Sequence, residues 1–228
     1  MTLVVCIQAQ DALILAADSR GTIGDPRGLT AINDTQIKLH KLGRCGLAAA
    51  GASEMAAVLL DELEKQGVTG FNDIDQAVGT LVPTFSRYFA QWFGSIPISQ
   101  WPGVLLTLAG YRYAPDRDPE PKMYLLNSQA NFAPQLFTGA CLSGVPQYAV
   151  YLVHRYYDPS ISSASAQALA EYLINETASQ DPKVGGRIRI AEITPEAYRE
   201  LSEEEVKSIS RSNEQLNRRL RKFFLQKS

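Results

Sequence analysis

Cysteine and histidine are scarce in this chain: Cys6, Cys45 and Cys141, with His40 and His154, are all that 228 residues contain. The cysteines are odd in number, far apart and set among apolar or small neighbours. That argues against a disulfide framework and for a reducing, cytoplasmic setting. No CxxC or HExxH spacing occurs, so a metal centre is not expected. An excess of charge is also lacking. With 22 Lys and Arg against 24 Asp and Glu, the net charge is −2, which gives no basic footprint for nucleic acid and no polybasic surface for a membrane. No apolar run approaches the roughly 20 residues that span a bilayer, and "VVCIQAQD" turns polar too soon for a signal peptide. Neither a P-loop nor a GxGxxG segment follows a strand, and "CLSGV" falls short of the GxSxG nucleophile elbow. Phosphate-cradling, metal and serine-triad chemistry are set aside, and no cofactor is expected.

What is present is apolar content, 45% of the chain, enough for a large core. Residues 3–7 and 13–17 are β-rich runs around the polar "QAQDA", which predicts a hairpin. With the turn centred on Gln10, Val5 faces Leu15, Val4 faces Ala16 and Thr2 faces Asp18, opposed side chains lying about 5 Å apart. The segment "GTIGDPRGLTAIND" reads as a loop, and one apolar stretch covers residues 37–50. Helical spacing follows through Met55, Val58, Leu59 and Leu63, and again over residues 72–93. Strand-like runs at 104–113, 122–127 and 135–144 precede helical patterns at 147–157 and 163–177 and a last strand at 187–194. This order predicts an α+β fold with helices layered on sheets. Thr194 and Pro195 suit the start of a short helix, and "SEEE" at 202–205 is a capping box for a longer one. Along that helix Val206, Ile209, Asn213, Leu216, Leu220 and Phe223 form a heptad seam, which either packs on its own domain or meets another subunit. Residues 1–193 read as the main domain and 194–228 as a helical extension.

One chemistry survives this elimination. If Met1 is removed, Thr2 gains a free α-amino group, whose pKa of about 7.7–8 suits a general base at neutral pH. Threonine with its own amine is a nucleophile pair. Asp18 could hold a lysine beside the threonine oxygen, where a cation favours the alkoxide and discourages protonation of the amine. Lys38, at the start of "KLHKL", is the candidate. Periodicity alone equally allows Lys38 to be a solvated lysine and Asp18 a turn carboxylate.

The stretch "TLVVCIQAQDALILAADSRGT" resembles the opening of the proteasome β-subunit superfamily, N-terminal nucleophile hydrolases that include the bacterial peptidase HslV and proteasome-like relatives. It carries a threonine at the mature start, a hairpin, and an A-x-D-x-R element whose aspartate lies sixteen positions later. The resemblance covers about residues 2–192. It implies a four-layer αββα sandwich, a homo-oligomeric ring, and unfolded protein or peptide substrates cut in a chamber, delivered by a ring-shaped ATPase. It also implies roles: Thr2 as nucleophile, Asp18 as its acidic partner, Arg20 as the basic neighbour, and Lys38 as the family lysine. Thr35 or Gln36 would take that place if the gap before it lay elsewhere. Gly51 in "LAAAGAS" matches the glycine that supplies an oxyanion-hole N–H. Ser143 in "ACLSGVPQYA" and Asp181 in "DPKVGG" match the residues that orient the amine. Val184 stands where the family has serine, and a valine cannot hydrogen-bond an amine. The implied activity is that of a self-compartmentalising threonine endopeptidase. The alternatives are a non-catalytic ring subunit that keeps Met1, and an amidase acting on small amides.

Overall fold

Residues 2–25, 28–68 and 70–225 are described by the structure, a computed structural model; Met1, on which the processing expectation bears, lies outside them. Strands β1 (Leu3–Gln8) and β2 (Leu13–Asp18) are buried almost throughout, as their unbroken aliphatic composition demands. They form the expected hairpin, but one residue out of the expected register: Val4 faces Ala17 and Val5 faces Ala16. The turn is the Gln10–Asp11 step, closed by a 2.8 Å bond from the Ala9 N–H to the Ala12 carbonyl. It therefore centres between those residues and not on Gln10. A one-residue slip exchanges the faces of a strand, so Asp18 comes level with Leu3 instead of Thr2.

Three further expectations are corrected. The Gly- and Pro-rich segment after Arg20 is not a loop: β3 (Gly21–Asp25) and β4 (Gly28–Asn33) pair as a two-stranded ribbon with a register shift at Ile23/Gly24. The apolar stretch 37–50 is two strands, β5 (Leu39–Leu42) and β6 (Cys45–Gly51). Between them the chain reverses at Gly43, whose φ of 68° suits glycine.

The chain continues through α1 (Ser53–Lys65), then α2 (Ile74–Phe93), which Asp73 caps by accepting the N–H groups of Asp75 and Gln76. There follow β7 (Val104–Arg112), β8 (Glu120–Asn127), β9 (Gln135–Phe137), β10 (Ala140–Gly144), α3 (Gln147–Tyr156), α4 (Ser163–Gln180) and β11 (Ile188–Ile193). The third correction concerns Thr194. Its hydroxyl accepts from the N–H groups of Glu196 and Ala197, closing a turn, not a helix, that leads into β12 (Tyr198–Glu200) antiparallel to β11. The capping box is present: Ser202 Oγ accepts the Glu205 N–H and Glu205 Oε2 accepts the Ser202 N–H at the start of α5 (Glu203–Leu225).

The strands make two five-stranded sheets, ordered β10-β1-β2-β11-β12 and β5-β6-β7-β8-β9. Helices α3, α4 and α5 cover the first sheet, where Leu3, Val5, Ile14 and Ala16 meet Ala149, Ala170, Ile174 and Val206. Helices α1 and α2 cover the second, where Leu47 and Leu106 meet Leu59, Leu81 and Phe85. A third core, with Val4, Leu15, Ala48 and Ala109, lies between the sheets. The architecture is the expected four-layer αββα sandwich. Alternate residues of β1 and β2 enter different cores, and each fully buried Leu or Ile contributes about 1.5–3 kcal/mol. The start of β1 is thereby fixed from both faces.

Candidate active site

Asp18 ends β2 with its side chain withdrawn from water, and four donors meet it. Oδ1 accepts the Leu3 N–H at 3.0 Å and Lys38 Nζ at 3.3 Å; Oδ2 accepts the N–H groups of Arg20 at 3.1 Å and Gly185 at 3.0 Å. Lys38, just before β5, is 1% exposed, and its ammonium also donates to the Arg20 carbonyl at 2.5 Å. A buried lysine persists only where its charge is paired and its donors are used. The solvated-lysine reading of Lys38 therefore falls, as does the plain turn-carboxylate reading of Asp18. Burial lowers Lys38 below the ordinary lysine range, and the neighbouring carboxylate pulls it back. Burial lifts Asp18, while Lys38 and the three backbone N–H groups counter that rise. The pair is therefore one whose lysine gives up a proton more readily than an exposed one.

The Thr2–Leu3 peptide lies against this pair through the Leu3 N–H. On its other side the Thr2 carbonyl accepts the Val145 N–H at 2.9 Å. Gly144, with φ of 89°, sits so close that a Cβ there would stand 1.8 Å from the Thr2 carbonyl oxygen and 3.3 Å from the Ala50 methyl. Thr2 is thus held between Asp18 and β10, with Ala50 close by and Gly51 the next residue along. Gly51 closes β6 with φ of 84°, and a Cβ on it would strike the Gly103 carbonyl at 2.0 Å. Only glycine makes that turn into α1.

Ser143 faces Val4 across the β1–β10 ladder. Its buried hydroxyl shares a 2.9 Å hydrogen bond with that of Thr107 on the opposite sheet. Asp181 follows α4 and accepts the Lys183 N–H at 2.8 Å. Val184 is completely buried in the helix-side core. Arg20 clamps two loops together. It makes a forked pair with Asp34 at 2.7 and 3.0 Å and donates to the Pro182 carbonyl at 3.0 Å. Thr35 and Gln36 lie on the rim of a 540 Å³ cleft beside Asp34, not on Asp18.

Two members of this arrangement escape sequence reasoning. Thr107 had a signal, as the one polar residue in "VLLTLAG"; Asp34, in "INDT", reads as ordinary turn chemistry. Among the described residues no group of three or more His, Cys, Asp or Glu side chains is placed to hold a metal ion. No helix among them is long and apolar enough to cross a membrane.

No family model matches the chain. It is 26% identical over 212 residues to proteasome subunit beta 1 of Thermococcus kodakarensis, spanning 91% of this chain and 96% of that protein. It is 26% identical over 219 residues to proteasome subunit beta 2 of Pyrococcus abyssi, spanning 92% and 95%. Among solved structures, Anbu (ancestral beta-subunit) from Yersinia bercovieri superposes with a TM-score of 0.74 at 16% identity, over 99% of this chain and 97% of that one. A Gly-1 mutant of Anbu from Hyphomicrobium superposes with a TM-score of 0.72 at 17% identity, over 100% and 98%. The chain is thus similar over nearly its whole length to proteasome β subunits, and its fold is the proteasome-like N-terminal nucleophile fold that the Anbu structures share.

Proposed function

We propose that the chain is a threonine-type endopeptidase subunit of a ring assembly, acting through Thr2 once Met1 is removed. The observation that carries this reading is the buried Lys38–Asp18 pair held against the Thr2–Leu3 peptide. A lysine stripped of water and fixed on the carboxylate that the Leu3 N–H also meets suits an alkoxide-stabilising role better than a structural one.

In this reading Thr2 Oγ attacks the carbonyl carbon of a peptide bond, and its proton passes to the α-amino group of Thr2, directly or through one water. Lys38 stabilises the developing negative charge on Oγ. The Gly51 N–H donates to the oxyanion, a kind of contact whose loss costs about 10²–10³ in rate. Ser143 and Asp181 orient the amine, which protonates the leaving nitrogen, and water then hydrolyses the ester to restore Thr2. Substrates are unfolded protein segments or peptides, supplied to a homo-oligomeric ring in the cytoplasm by a ring-shaped ATPase. The test is intact mass of the native protein together with peptide hydrolysis. A mass lacking Met1 and hydrolysis abolished in Thr2→Ala support the reading; Met1 fully retained in cells, or hydrolysis undiminished in Thr2→Ala, rejects it.

A second reading, a ring subunit without chemistry, is favoured by a specific observation. The serine hydroxyl meant to orient the amine is bonded to Thr107, and Val184 lies in the core. Retention of Met1 in an assembled ring would support it.

A further inference from the structure

Thr107 places a hydroxyl deep in the layer between the sheets. Alternate residues of β7 point to opposite faces: Leu106 and Leu108 meet the core under α1 and α2, while Leu105 and Ala109 meet the core between the sheets. Thr107 lies between the latter two and is completely buried. Across from it on β10 are Cys141 and Ser143, two residues apart and so on one face of their strand. A hydroxyl withdrawn from water is costly unless it is hydrogen-bonded, and this one has two partners. It shares the 2.9 Å bond with Ser143 Oγ. It also donates to the Cys141 thiol, which burial pushes up to about 12 and this bond draws back. Among the described residues Thr107 is the one hydrogen-bonding partner of the Ser143 hydroxyl.

The direction of the Thr107–Ser143 bond separates a diverted serine from a poised one. A hydroxyl has one hydrogen to give and two lone pairs, so two bonded hydroxyls can be arranged in two ways. If Thr107 donates to Ser143, the Ser143 hydrogen is left to seek another acceptor. If Ser143 donates to Thr107, that hydrogen is spent and the serine lone pairs stay open. The Cys141 sulfur selects the second arrangement, because it takes the Thr107 hydrogen and leaves Thr107 Oγ to accept. The reverse order would need the thiol as donor, and S–H is the weaker donor of the two.

We propose that Thr107 is a positioning residue of the site: it takes the Ser143 hydrogen, so that Ser143 meets the Thr2 amine as an acceptor only. This rests on the reading of Thr2 as nucleophile with its amine as base, and it gives that reading a direction. The amine must offer its lone pair to the Thr2 Oγ proton, and a serine donating to the amine would occupy that lone pair. As the bond from Thr2 Oγ to the carbonyl carbon forms, the Oγ proton moves to the amine nitrogen. The resulting ammonium has donors alone, and Ser143 accepts one of them. Ser143 is placed for this by the β1–β10 ladder, where it faces Val4 and stands two residues before Val145, whose N–H holds the Thr2 carbonyl.

The test uses the full chain released from an N-terminal fusion so that it begins at Thr2, which frees the amine whether or not cells remove Met1. The amine pKa is read by competitive labelling with acetic anhydride over a pH series and mass spectrometry of the N-terminal peptide, beside kcat and KM for peptide hydrolysis. Circular dichroism checks folding. Thr107→Val keeps the shape and removes the acceptor, so the Ser143 hydrogen turns to the amine and favours its neutral form. The amine pKa is expected to fall by about one pH unit, and kcat by about tenfold at unchanged KM. Thr107→Ser is expected to restore both. Cys141→Ala lets the Thr107 hydrogen turn back to Ser143, so it should lower the amine pKa in the same way, and it serves if Thr107→Val does not fold. With Ser143→Ala already present, Thr107→Val should change neither quantity further. Asp18 on β2 and Lys38 before β5, the charged groups gathered at the Thr2–Leu3 peptide, stay in place in every variant. An amine titration unmoved in folded Thr107→Val or Cys141→Ala, or a shift that persists without Ser143, overturns the proposal. Absence of hydrolysis in the wild-type chain that begins at Thr2 rejects the peptidase reading instead, and the titration still decides the role of Thr107.

Discussion

Two carboxylates are withdrawn almost wholly from water, Asp18 at 1% and Glu171 at 0% exposure, and they are held in opposite ways. Asp18 faces a cation and three backbone N–H groups drawn from the start of β1, the end of β2 and the loop after α4. Glu171 faces neutral side chains alone, Asn175 on its own helix with Ser210 and Asn213 on α5. Backbone donors are fixed by the fold, whereas side-chain donors come and go with the element that carries them. Burial of a charge therefore does not mark chemistry by itself. At Asp18 the proposed chemistry rests on the lysine and on the Thr2–Leu3 peptide beside it; at Glu171 the same burial fastens one helix to another.

The contrast can be broken at several points. The largest effect is expected at the nucleophile: Thr2→Ala should lower peptide hydrolysis by at least ~10³-fold with no loss of urea stability, whereas Glu171→Gln should leave the rate unchanged. Lys38→Met should cost about 3–5 kcal/mol in urea unfolding, because it strands Asp18 without its counter-charge. Adding Asp18→Asn should recover part of that loss, and a simple sum of the two single effects would show that the residues do not act as a pair. Glu171→Gln turns one acceptor into a donor facing donors and should cost about 1–3 kcal/mol, with faster hydrogen exchange across α5. Asp34→Ala removes a pair screened by water and should cost at most about 1 kcal/mol, detectable as heightened exchange at Gly185.

The smallest effect concerns pH. Burial, and then the nearby Arg189, lower the His40 pKa below its ordinary value near 6.5. The folded chain therefore holds fewer protons at this residue than the unfolded chain between those two values, and stability falls as pH drops from 6.5 through that window. His40→Asn should flatten this part of the stability–pH curve relative to wild type, and two superimposable curves would remove His40 from the account.

Much of this contrast is legible in the sequence, and unevenly so. Thr2, Asp18 and Lys38 stand out because each is a reactive group beside an apolar strand. The register of the first hairpin is not legible to one residue, because Gln10–Asp11 carries none of the Asn-Gly or Gly-X chemistry that announces a two-residue turn. The β5–β6 reversal hides for a related reason: a single glycine, Gly43, turns an otherwise continuous apolar run. Thr194 misleads because a hydroxyl that accepts the N–H groups two and three residues on serves a turn as well as a helix start. Glu171 could not have been foreseen, since its donors on α5 lie about forty residues away and helix spacing says nothing about which polar position meets which.

Gly144 leaves its own mark on how tolerant the chain is to change. With the Thr2 carbonyl oxygen 1.8 Å from where any Cβ would stand, every substitution there should be rejected, in a working peptidase and in an inert ring subunit alike. In a saturation-mutagenesis screen scored on abundance, position 144 would be depleted as deeply as one scored on hydrolysis. Position 2 would separate the two scores. Intolerance at a site's walls records how the chain is packed; only the gap between those two screens would record what the chain does.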